Sequence, residues 1–95
     1  MRDVAIVSFS QTPSWRRSPT DDVEMVHEVC TQAREQAGIE RHEVGFTASG
    51  SCDFLVGRPF SFVMALDGVG AWPPISESHV EMDGAWALYL SLIHI

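Results

Sequence analysis

Basic residues are scarce in this 95-residue chain: six, against thirteen acidic ones, for a formal net charge of −7. Nucleic acid and anionic membranes are bound through clustered Lys and Arg, and only Arg16 and Arg17 are adjacent, so neither is an expected partner. Long apolar runs are also missing. Nothing approaches the ~20 residues of a membrane span. The opening MRDVAIVSF is too short in apolar residues for a secretory signal and soon meets polar residues and Pro13, which makes the cytoplasm the expected compartment. Cysteine is limited to Cys30 and Cys52, too few for a disulfide framework. There is no glycine-rich phosphate or dinucleotide loop. Nor is there a Gly-x-Ser-x-Gly elbow around Ser51. His27 and Cys30 have a metal-compatible spacing, but Cys30 falls on an apolar helix stripe and no further ligands follow, so no metal is expected. His79-x-Glu81 lacks the Pro-Cys-x-x-Cys half of a zinc deaminase.

The remainder is a chain able to pack, with 45% hydrophobic residues. Its small size makes it marginally stable alone. Val4-Ala5-Ile6-Val7, within Asp3 to Phe9, predicts a strand buried on both faces. A loop from Ser10 to Pro19 follows, with Trp15, Arg16 and Arg17 on a solvated surface. Thr20 or Asp21 should cap a helix, with Glu24 at capping-box spacing. Val23, Val26, Cys30, Ala33 and Ala37 form its apolar stripe, and Gly38 ends it. A second strand is predicted from Val44 to Ser49. It empties into the small-residue stretch Ser49 to Asp53, where α/β sheets bind ligands. Phe54 to Gly57 should turn the chain, and a short helix should follow Pro59 from Arg58 to Leu66. Pro73-Pro74 sets up an extended entry into a third strand at Ile75.

Ile75 to Tyr89, ISESHVEMDGAWALY, carries most of the chemistry. It reads as a short strand, a polar turn at His79 to Asp83, and an Ala-rich helix from Gly84. Carboxylates at Glu81 and Asp83 stabilise a helix N-terminus through its dipole, by roughly 0.3–1 kcal/mol each, and that role requires no catalysis.

Residues 1–89 resemble the N-terminus of thiolase-like proteins. The nearest group comprises lipid-transfer proteins and acetyl-CoA acetyltransferases related to the thiolase domain of sterol carrier protein X. The resemblance rests on Val4-Ala5-Ile6-Val7-Ser8-Phe9 with Gln11-Thr12-Pro13, on Phe46 to Asp53 (FTASGSCD), on Pro59 to Leu66 (PFSFVMAL) and, above all, on Ile75 to Tyr89. It implies an α/β fold, a truncated thiolase-like β-α-β-α-β-α, occupying residues 1–89. It also implies coenzyme A, as an acyl-CoA substrate, and a homodimer. Residues 90–95, LSLIHI, depart from the family helix and read as a non-native tail on a fragment that is inactive by itself.

Thiolases place a nucleophilic cysteine at this helix start. Aligning their glycine with Gly84 puts Glu81 at that position, and neither Cys30 nor Cys52 replaces the thiol. A carboxylate serves poorly for thioester formation but can act as a general base. Some thiolase-like relatives are aldolases that cleave β-hydroxyacyl-CoA together with an OB-fold partner subunit and need no cysteine. Glu81 and His79 are therefore the candidate catalytic residues. The alternative is a non-catalytic acyl-CoA or lipid-binding subunit.

Overall fold

The computed structural model describes residues 2–70 and 75–94. Helix α1 spans Asp22–Ala37. Asp21 caps it as expected, its carboxylate accepting the Glu24 N–H at 2.9 Å, and Gly38 closes it in the left-handed region at φ 69°. A single 3₁₀ turn, Arg41–Glu43, leads into strand β1, Phe46–Ser51. Helix α2 is one turn, Asp53–Val56, and helix α3 covers Phe62–Val69. Strand β2 runs over Ser76–Glu81, and helix α4 over Gly84–Ile93.

The described residues form a small mixed α/β unit of four helices and two parallel strands. β1 and β2 pair in register from Phe46 opposite Ser76 to Ser51 opposite Glu81. Parallel strands need a crossover, here supplied by α2 and α3. α1 packs against α3, and α4 lies along β1 and β2. The ring of His94 stacks on Phe46, with centroids 4.4 Å apart, so the far end of α4 meets the start of β1. α4 continues through residues 90–93 with no interruption after Tyr89.

Several expectations need correction. The run Val4 to Phe9 forms no strand. It is irregular and exposed, with Ile6 83% accessible. It is tied instead to α1: the Phe9 N–H donates to Gln36 Oε1 at 3.3 Å and the Ser10 hydroxyl to Gln32 Oε1 at 2.6 Å. Strand preference depends on a pleated surface with neighbours to pack against, and a four-residue apolar run needs cover on both faces. Neither is present where this segment lies. The sheet accordingly has two strands among the described residues rather than three. Phe54 to Val56, expected as a turn, belongs to α2. The helix expected from Arg58 begins only at Phe62, because Asp53 holds the chain at Phe60 and Ser61 in a turn. His79 and Glu81 stand inside β2 rather than in the turn, which contracts to Met82 and Asp83. The entry expected of Pro73-Pro74 lies outside the described residues.

The core is thin. Ala87 is the buried apolar residue among those described, at 5% exposure, and no large side chain is fully buried there. Large apolar groups such as Phe54, Leu55, Phe60, Trp86 and Tyr89 remain exposed.

Candidate functional site

The C-terminal ends of both strands meet at one corner, built by β2, the start of α4 and the loop after β1. Met82 turns the chain out of β2 with φ 64°, a left-handed conformation rare for an unbranched side chain and costly by about 1 kcal/mol or more. Its N–H donates to the Ser51 carbonyl at 2.7 Å, which extends the ladder one step beyond the last paired residues. Asp83 then caps α4, its carboxylate accepting the Trp86 N–H at 2.8 Å. Gly50 lies directly under this turn. A Cβ there would sit 2.7 Å from the Asp83 carbonyl oxygen and 2.8 Å from the Gly84 Cα, so only glycine lets β1 and the corner approach this closely.

Glu81 closes β2 with an exposed side chain, and its Oε1 accepts the Asp53 N–H at 2.7 Å. One carboxylate therefore bridges the ends of both strands and satisfies a free donor of α2. Asp53 in turn accepts three hydrogen bonds: from the Ser61 hydroxyl at 2.6 Å, the Ser61 N–H at 2.8 Å and the Phe60 N–H at 2.9 Å. These bonds, the Ser61 hydroxyl foremost, hold the Asp53 carboxyl below its ordinary range, and His79 adds a smaller attraction. Asp53 is thus a fixed anion that orders the α2–α3 turn, and Ser61 beneath it is only 3% exposed.

His79 points to the same side of β2 as Glu77 and Glu81, since alternate strand residues share a face. Its ring lies flat on Phe62, with centroids 3.6 Å apart and planes at 6°. Its Nδ1 stands 3.6 Å from Glu77 Oε2, an ion pair when the ring is protonated. The structure thus brings His79 and Glu81 onto one face at the predicted corner. It gives His79 an aromatic platform and Glu81 a backbone partner.

Cys52, immediately before Asp53, stands at the N-cap position of α2 without a side-chain capping bond, whereas Cys30 sits on α1. Burial pushes the Cys30 thiol above its usual range, and the Arg34 guanidinium offsets part of that shift. Among the described residues no three or more His, Cys, Asp or Glu side chains gather as a metal would need.

Asp53, Ser61 and Phe62 are the participants that the sequence did not single out as a unit. The small-residue stretch ending at Asp53 did signal a ligand-facing strand end. Nothing signalled that Ser61 would return to it, because the intervening turn places Phe60, not glycine, at φ 56°.

Comparison with protein-family models, with curated proteins and with solved structures finds no match.

Proposed function

We propose that this chain carries the nucleophile corner of a thiolase-like enzyme that acts on acyl-CoA, with Glu81 in place of the cysteine. The observation that supports this most is the position of Glu81. It is the last residue of β2, before a strained residue and a capped helix, at the C-terminal edge of a parallel sheet.

Retro-aldol cleavage of a β-hydroxyacyl-CoA suits a carboxylate at that position. Glu81 takes the proton of the β-hydroxyl. The oxygen electrons form a carbonyl, the Cα–Cβ bond breaks, and the bonding pair becomes the enolate of the shorter acyl-CoA, which is then protonated. No thioester to the protein forms, so no thiol is needed. His79, held flat on Phe62 on the same side of the strand, would orient the thioester end or return the proton.

A second reading draws on the Asp53 N–H contact. Glu81 Oε1 is engaged by backbone, which suits a residue that shapes a non-catalytic acyl-CoA-binding corner. Glu81→Gln separates the two. The amide oxygen retains an acceptor for Asp53 but cannot take a proton. In the longest reading frame that contains this sequence, with any OB-fold partner supplied, release of the shorter acyl-CoA should fall by about 100-fold or more, while acyl-CoA binding persists. Unchanged turnover would favour the binding role. Efficient thiolysis of a 3-ketoacyl-CoA would remove the aldolase reading.

A further inference from the structure

Two cavities, of about 300 and 400 Å³, lie where α1 and α3 meet β1. Cys30, Ala48 and Val69 line both, so the two adjoin as one recess. Neither is lined by a residue of β2 or α4, and the recess therefore lies apart from His79 and Glu81. The helix walls are apolar, through Val26 and Ala65 in the larger cavity and Ala33 in the smaller. Concave sites of this size with apolar walls and a few polar groups are the kind that hold small ligands.

The two ends of the recess differ in charge. Arg34, in the last turn of α1, and Arg41, in the 3₁₀ turn, both line the smaller cavity, and neither lines the larger. The larger carries Asp22 instead. Two of only six basic residues thus meet in one apolar cavity of a chain with thirteen acidic ones. Among the described residues the ion pairs are Arg58 with Asp22 and His79 with Glu77, and they include neither of these arginines. Arg41 is held in place by donating to the Gly70 carbonyl. Arg34 Nε is shut off from solvent and has no hydrogen-bond partner. A buried donor without an acceptor is costly, and the planar fork of a guanidinium matches a carboxylate.

We propose that this recess binds a free, straight-chain carboxylic acid of medium length, its carboxylate paired with Arg34 and Arg41 and its hydrocarbon tail running past Cys30 towards Val26 and Ala65. The polarity of the recess sets the orientation. The arginines attract the carboxylate at one end, and Asp22 repels it at the other. The tail meets apolar walls along its length and gains by leaving water. A CoA thioester has no carboxylate on its acyl chain, so the paired guanidiniums select the free acid against the acyl-CoA. The proposal does not depend on the acyl-CoA reading, because it uses neither Glu81 nor His79.

Calorimetric titration of the full chain with octanoate, kept below its micellar range, should show one saturable site. Octanol has the tail without the charge and acetate the charge without the tail; each should bind at least about tenfold more weakly. Arg34→Gln should weaken octanoate binding by about tenfold or more while the far-ultraviolet helix signal is retained, and Arg34→Lys should restore part of it. Bound octanoate should also slow the reaction of Cys30 with a thiol reagent, read by peptide mass, in the wild-type chain. Octanoyl-CoA should leave octanoate in place. Octanol binding as tightly as octanoate would overturn the proposal, and so would the lack of a saturable site, an unaffected Arg34→Gln or displacement by octanoyl-CoA. Octanoate binding that appears only after Ile6→Asp would overturn it too, and would assign the recess to the chain's own Val4 to Phe9 run, which a buried charge would expel.

Discussion

The surface area of the single chain sets a first prediction. Its surface of 7190 Å² compares with ~15,200 Å² for the unfolded chain. Folding then buries about 53% of the unfolded surface, below the ~60% at which a still smaller domain is already marginal. A folded chain of 10.5 kDa should expose ~5,400 Å², so the surface exceeds that by about 1,800 Å²; if a little over half of the excess is apolar, as on ordinary protein surfaces, about 1,000 Å² awaits cover. At ~25 cal/mol per Å² that is on the order of 25 kcal/mol of unrealised hydrophobic stabilisation, as an upper bound. Ordinary domains are stable by only ~5–15 kcal/mol. The dilute monomer should therefore melt without a sharp transition and bind an apolar dye such as ANS strongly. If any partner or further chain covers this surface, dye binding should fall and a cooperative transition should appear. Circular dichroism melts over a hundredfold concentration range, with ANS fluorescence in parallel, make the measurement. A dilute, ANS-silent monomer with a sharp melt independent of concentration would refute the area argument.

Two further predictions concern the corner. The Asp53 carboxyl should titrate below the ordinary aspartate value, followed by carboxyl-carbon NMR; Ser61→Ala should move it back up, because the Ser61 hydroxyl is its strongest support. A depressed folded-state pKa contributes stability above the unfolded value of ~3.9, and that contribution is lost as pH falls through the folded value, so acid should loosen the α2–α3 turn first. An Asp53 titration unchanged by Ser61→Ala would break this link. Gly50→Ala forces the Asp83–Gly84 backbone away by about 0.7 Å to reach ordinary contact at 3.4 Å. Such overpacking costs ~1–3 kcal/mol, and the Met82 amide should exchange faster by about 5- to 150-fold; Gly84→Ala, which meets nothing within 4 Å, serves as the control that should not.

Helix α1 was legible because its signals are local: Asp21 for the cap, a valine, cysteine and alanine stripe, and Gly38 for the stop. The small-residue end of β1 and the helix start at Gly84 were legible for the same reason. The failures involve distance along the chain. Val4 to Phe9 has strand composition, but whether it becomes a strand depends on an edge and two covers that its own residues do not supply. Strand β1 starts two residues later than its hydrophobic alternation implied, and β2 extends through His79 and Glu81, because pairing between the strands sets their limits. At the site, the residues told that polar groups, Glu81 among them, precede the helix start at Gly84. The hold of Glu81 on Asp53, and the hold of Asp53 on Ser61, needed the fold.

Among the described residues, the two non-glycine residues at positive φ, Phe60 and Met82, both flank this corner. Phe60 is restrained through the Asp53 carboxylate and Met82 through the Ser51 carbonyl, and Glu81 joins the two restraints. Mechanically, the corner is a sprung joint with one latch. If a bound ligand drew the Glu81 carboxylate away from the Asp53 N–H, both twisted residues would gain freedom together. The α2–α3 turn and the first turn of α4 would then shift as a coupled pair, and occupancy at Glu81 would be felt on both sides of the sheet.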